Sequence, residues 1–127
     1  MKHGLIRIEC NCMEELMRFE ERKIGDVFVA KALESRIAAD IAARFKSDLI
    51  EYVTNGHRKF VLDLSEVTFI DSSGLGALIA SLKAIGDDGE ITLCGAREPV
   101  ASMFKLTRMN KVFRMFNTPE EAAAALF

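Results

Sequence analysis

Apolar positions divide the chain into short runs of strand length and longer segments whose apolar residues return every three or four places. Phe60-Val61-Leu62-Asp63-Leu64 is nearly all apolar, as expected of a strand covered on both faces by packed helices. After it, Leu75, Leu78, Ile79, Leu82 and Ile85 form one helical stripe. Upstream, Ile37, Ile41, Phe45, Leu49 and Val53 mark the buried face of another helix, capped by Ser35 and running to about Thr54. Arg44, Lys46, Asp48 and Glu51 fall largely off that face, and Asn55-Gly56 tolerates the left-handed backbone that ends a helix.

Ahead of that helix, Leu16–Glu21 and Val27–Leu33 flank Lys23-Ile24-Gly25-Asp26 and predict a hairpin turning at Gly25. Beyond the central helix, Gly86-Asp87-Asp88-Gly89 predicts a turn and Glu90–Cys94 a strand. Pro99 suits the first turn of a third helix with Val100, Met103, Phe104 and Thr107 on one side. Val112–Phe116 predicts a short edge strand. Thr118-Pro119-Glu120-Glu121 is a capping box that opens a closing helix of alanine and leucine. Strand and helix alternate from residue 27 onward, which implies crossovers and parallel pairing there, while the hairpin adds an antiparallel pair. The expectation is a single α/β domain with a mixed sheet of four or five strands and about four helices packed on it.

Composition removes several function classes. With 127 residues and 50% hydrophobic content, the chain buries a core without staples. A net charge of −2 and a pI near 5.7 give no global attraction to nucleic acid or an anionic membrane. No apolar run approaches the roughly 18 residues that span a bilayer, and MKHGLIRIECNC lacks the long apolar core of a signal peptide. Cys10, Cys12 and Cys94 make an odd count, read as reduced thiols of a cytoplasmic protein. Cys10-Asn11-Cys12 has no second ligand pair, so no metal is expected. Ile6, Ile8 and Cys10 alternate within residues 1–12, which read either as an added edge strand or as an extension ahead of an alternative start at Met13. The domain proper is expected over residues 13–127.

Candidate chemistry gathers at Asp71-Ser72-Ser73, where the apolar strand gives way to the helix opening on Gly74-Leu75-Gly76. Ser72 or Ser73 stands where an N-cap belongs, and Asp71 places negative charge near the helix start. Capping alone would account for such a triplet. What distinguishes it is the helix behind it, uncharged from Ser72 to Leu82. Ser73, Gly76, Ala77, Ala80, Ser81 and Ala84 make the face away from the stripe small, which suits either close docking by another protein or packing by a neighbouring helix.

The run DLSEVTFIDSSGLGALIASLKAIG resembles the signature of STAS-domain anti-sigma factor antagonists. The likeness extends from about Arg18 to Phe127 through LCGA at 93–96, KLTRMNKVF and NTPEEAAAAL. It implies a STAS domain that binds an anti-sigma factor and is switched off when that partner, a serine kinase, phosphorylates Ser72. The contact would centre on Asp71, Ser72, Ser73, Gly74, Leu75 and Gly76. A phosphatase would restore binding, and ATP and Mg²⁺ would belong to the kinase, leaving this chain without a cofactor. Two positions depart from the family pattern: Ala38 replaces an aspartate near the acceptor serine, and Arg108 replaces the glycine after the third helix. A non-switching STAS scaffold in a sensory complex or a transporter is the alternative.

A small serine enzyme is the remaining class. Ser72 has Ile70 where a hydrolase elbow wants glycine. His3 and His57 both read as turn or terminal residues, not as bases for Ser72. Gly74-Leu75-Gly76 has Ile79 where a dinucleotide loop needs its third glycine. Lys105, Arg108, Lys111 and Arg114 read as a solvated basic patch. The Met103, Phe104, Met109, Phe113, Met115 and Phe116 cluster reads as core filling.

Overall fold

A computed structural model describes residues 19–126. The expectations for residues 1–12, for Met13 and for Cys10 and Cys12 lie outside the described residues. The first hairpin consists of β1 (Phe19–Ile24) and β2 (Val27–Ala32), antiparallel with Ile24 opposite Val27. Only Gly25 and Asp26 separate the strands, and Gly25 takes the turn at φ 64°. β1 thus runs further into the turn than hydrophobicity alone indicates, β2 starts at Val27 as predicted, and residues 16–18 of the first predicted strand lie outside the described residues.

After β2 come a two-residue strand β3 (Arg36–Ile37), helix α1 (Ala39–Thr54), β4 (Lys59–Asp63), a second two-residue strand β5 (Phe69–Ile70) and helix α2 (Ser72–Ile85). A 3-10 turn then leads to β6 (Glu90–Cys94), α3 (Glu98–Leu106), β7 (Met115–Phe116) and α4 (Pro119–Ala124). The main sheet has the order β1-β2-β4-β6-β7, parallel everywhere except in the hairpin. The expected mixed sheet with helices on it is therefore what the chain forms. Among the described residues no helix is long and apolar enough to cross a membrane.

The apolar run at β4 has a direct cause. Phe60 and Leu62 join the large core formed with α1, α2 and α3. Val61 points the other way, into a smaller cluster with Val27, Val29, Cys94, Ala122, Ala123 and Leu126 beneath α4. Period-two alternation is invisible in such a strand because both faces are buried. Burial also fixes the state of Cys94, whose thiol is pushed up to about 12, first by desolvation and then by neighbouring Asp63. It stays protonated.

Three local expectations are corrected. Ser35 does not cap α1. Its carbonyl accepts from Thr68 N–H at 2.8 Å and Phe69 N–H at 3.2 Å, and Arg36 and Ile37 pair in parallel with Phe69 and Ile70. Helix α1 starts only at Ala39, with Ala38 at its cap position and no side-chain cap bond. Asp48, expected on the outer face, is buried with Phe45, Leu49, Tyr52 and Val53. The predicted edge strand over Val112–Phe116 contracts to Met115–Phe116, because Val112 and Phe113 N–H donate back to Met109 O at the close of a 3-10 turn. Arg108 keeps the left-handed cap expected of a glycine there, at φ 64° and ψ 17°.

Candidate functional site

Two strand-to-helix junctions lie side by side at one end of the sheet. β3 runs into α1, β5 runs into α2, and the short strands are paired, with Ile37 opposite Ile70. Asp71 N–H donates to Ile37 O at 3.3 Å, tying the second junction to the first. Ile37 and Ile70 face the interior, and alternation turns Arg36 and Phe69 outward.

At the second junction the N-cap is Asp71, not Ser72 or Ser73. Its Oδ1 accepts from Ser73 N–H at 2.9 Å and Gly74 N–H at 3.1 Å, and its backbone is extended at φ −113° and ψ −172°. Those two bonds satisfy donors that a helix start otherwise leaves open. Ser72 is consequently the first helical residue. It is exposed, and among the described residues its hydroxyl makes no hydrogen bond. An anion on that hydroxyl would find two of the nearby N–H groups already taken by Asp71. Solvent would hold most of its charge.

The six candidate residues divide by direction. Ser72, Ser73 and Gly76 are exposed and Asp71 is half-buried, whereas Gly74 and Leu75 face inward. A Cβ on Gly74 would lie 2.7 Å from both Ile37 O and Ile70 Cγ1, so this glycine serves close packing between the junctions. A Cβ on Gly76 would meet nothing within 4 Å. The small-residue face divides likewise. Ala77 and Ser81 are buried, and Ser81 Oγ donates to Ala77 O at 2.9 Å. Open surface follows Ser72, Ser73, Gly76, the half-buried Ile79 and Ala80, and finally Lys83 and Ala84.

Beside this strip stand two residues that periodicity did not mark. Phe69 is 42% exposed, and the Arg36 guanidinium carbon lies 5.1 Å from its ring centroid. Leu33, just upstream, is also exposed. A two-residue strand is too short to show alternation, so only the position of Phe69 directly before Ile70-Asp71-Ser72 could have signalled it. The uncharged helix start, the Ser72 hydroxyl and the Phe69 ring thus lie together on open surface.

His57 belongs elsewhere. It stacks on Phe28 at 4.0 Å between ring centroids and precedes β4, whereas Ser72 follows the far end of that strand. A five-residue strand spans roughly 16 Å, so His57 is out of reach as a base for Ser72. Among the described residues no group of three or more His, Cys, Asp or Glu is placed to hold a metal ion.

Comparison with known proteins agrees with this architecture. A family model described as "STAS domain" matches residues 19–122. A Bordetella bronchiseptica protein provisionally named as the anti-sigma factor antagonist BtrV is 29% identical over 110 residues, spanning 86% of this chain and 94% of its own. The anti-sigma-B factor antagonist of Listeria monocytogenes is 28% identical over 97 residues, 76% of this chain and 82% of its own. A crystal structure from Thermotoga maritima, provisionally titled an anti-sigma factor antagonist, superposes with a TM-score of 0.75 at 26% identity. It covers 85% of this chain and 93% of that one.

Proposed function

Because the chain belongs to the STAS-domain family, we infer that it is an anti-sigma factor antagonist, a binder whose contact surface surrounds Ser72. The observation that carries this is the exposed, unbonded Ser72 hydroxyl at the head of a helix uncharged through its first three turns. The relatives' names supply the partner class, an anti-sigma factor. Asp71, Ser72, Ser73 and Gly76 form the centre of the contact. Gly74 and Leu75 set its shape from beneath, and Phe69 with Arg36 forms its rim.

If the partner is a serine kinase, Ser72 Oγ attacks the γ-phosphorus of ATP held by that partner. The bond from that phosphorus to ADP breaks, and the hydroxyl proton passes to a base on the kinase. The product carries about −1.5 to −2 charges beside Asp71. In the free domain that charge faces water. In the complex it must be desolvated next to a carboxylate already bound to two N–H groups. Phosphorylation thus expels the partner without unfolding the domain, and a phosphatase resets it. Release or capture of the anti-sigma factor would in turn govern sigma-factor-dependent transcription.

Ser72→Asp should lose at least about tenfold in affinity, 1.4 kcal/mol, while Ser72→Ala binds like wild type and both melt within a degree or two of it. Capture from native lysate followed by mass spectrometry identifies the partner, and titration calorimetry on it measures the loss. Unchanged binding by Ser72→Asp, or a melting point several degrees lower, overturns the switch. Ala38 favours a second reading, the non-switching scaffold, because no carboxylate stands at the cap of α1 beside the acceptor. Capture of a partner that leaves Ser72 unphosphorylated in the presence of ATP would decide for it.

A further inference from the structure

The basic segment after α3 differs from a merely solvated surface in what lies between its charges. Leu106 is 80% exposed and Val112 48%, two of the four large hydrophobic residues that stand exposed among the described residues. Lys105, Arg108 and Lys111 surround them, all exposed and none in an ion pair among the described residues. Arg114 leaves the group, since its guanidinium grips Glu90 at 2.7 and 2.9 Å. No Asp or Glu occurs from Pro99 to Pro119, although the chain as a whole carries −2. A local excess of three cations therefore opposes the overall charge.

The segment is also held in one shape. Phe104 and Phe113 are buried and meet edge to face at 6.4 Å, pinning both ends. Between them Arg108 N–H donates to Lys105 O, Lys111 N–H to Arg108 O and Val112 N–H to Met109 O, each at 3.0–3.1 Å. Arg108 is the only non-glycine residue with positive φ among the described residues. A side chain in that conformation is strained, so the fold retains a cation where glycine would be easier. Preordered groups lose little entropy on binding.

We propose that Lys105, Leu106, Arg108, Lys111 and Val112 form a second docking surface, which takes an acidic, leucine-bearing segment of a partner protein. Charge complementarity selects an acidic occupant, and the apolar pair anchors it. A lipid surface is disfavoured because juxtamembrane basic sites gather about 4–8 cations, more than the three here. The location is independent of Ser72. α3 starts at the carboxyl end of β6 and runs back, and Arg114 at the segment's end meets Glu90, the first residue of β6. The patch therefore lies toward the end of the sheet opposite Asp71-Ser72-Ser73, and both surfaces can be occupied together.

The probe is a synthetic amphipathic helix with leucines on one face and glutamates beside them, titrated into labelled protein and followed by amide NMR shifts. Shifts should concentrate at residues 105–113, weaken as salt is raised and be unaffected by Ser72→Asp. A Lys105→Glu/Lys111→Glu variant should lose at least about tenfold in affinity, and Leu106→Ser should weaken binding at unchanged melting temperature. A peptide with lysines in place of glutamates should not bind. Shifts mapping elsewhere, equal binding of both peptides, or uptake by phosphatidylserine vesicles in preference to the acidic peptide would overturn the proposal.

Discussion

Asp71 performs two tasks at one position, and they can be separated. Its carboxylate caps α2 through Ser73 and Gly74, and it sits next to Ser72, the proposed phosphate acceptor. Removing a bonded N-cap costs about 1 kcal/mol, so Asp71→Ala should lower unfolding stability by that amount in a urea titration. Asp71→Asn, which keeps the acceptor oxygen, should restore most of it. Arg108 is the opposite case, a residue under strain. Left-handed backbone costs an ordinary side chain about 1–2 kcal/mol, while glycine loses about 0.4–1 kcal/mol through the unfolded chain. Arg108→Gly should therefore raise stability by up to about 1 kcal/mol in the same titration, and a loss would contradict the strain. The sequence marked the anomaly at Arg108, where the family has glycine, but not whether the backbone would follow the pattern.

Within α2, two glycines that look equivalent in the sequence are separated by what surrounds them. Each would cost a helix up to about 1 kcal/mol relative to alanine. At Gly76 nothing opposes a methyl group, so Gly76→Ala should stabilise the domain by about 0.5–1 kcal/mol. At Gly74 the methyl would press against the Ile37 carbonyl and the Ile70 side chain, and Gly74→Ala should cost about 1–3 kcal/mol. Urea unfolding of the pair gives opposite signs if α2 is seated as described. The same junction shows what single-element patterns leave out. Of the predicted stripe, Leu75, Leu78, Leu82 and Ile85 do face the core, legible because they repeat at helical spacing within one helix, whereas Ile79 falls at its margin on the half-open strip. The burial of Ala77 and Ser81 depends on what packs over α2, and a small residue reads alike under a neighbour or under water. Asp48 escaped for a related reason, since a polar letter at the margin of a helical face gives no sign of what packs over it. β3 and β5 are two residues each, too short for any period to appear.

Across the whole molecule, strong patterns carried furthest where burial is complete. The apolar β4 and its helix-bearing neighbours fixed the parallel sheet, and Pro119 after Thr118 fixed α4, whose Thr118 Oγ1 accepts from Glu121 N–H at 3.1 Å. What joins the hairpin to that sheet could not be read in advance. His57, expected as a turn residue, lies against Phe28 of β2 and near Tyr52 of α1, whose hydroxyl donates to Glu21 of β1 at 2.6 Å. One imidazole thus lies against two elements, β2 and α1, and this makes stability depend on pH. Desolvation lowers its pKa from 6.5, Lys23 lowers it further, and Glu21 partly opposes them. A folded-state pKa below the unfolded one means that the unfolded chain takes up the proton more readily. The contribution is therefore present above about pH 6.5 and is lost as pH falls through the folded value. Carboxylates titrate mainly near pH 4, so the interval from about pH 7.5 to about pH 5.5 isolates the histidine. Wild type should lose melting temperature across that interval, and His57→Gln, which carries no such proton, should lose less. His3 is common to both proteins and cancels in the difference. Parallel pH profiles would mean that the imidazole is as accessible to protons in the fold as in the open chain, and the stacked geometry at Phe28 would then not hold in solution.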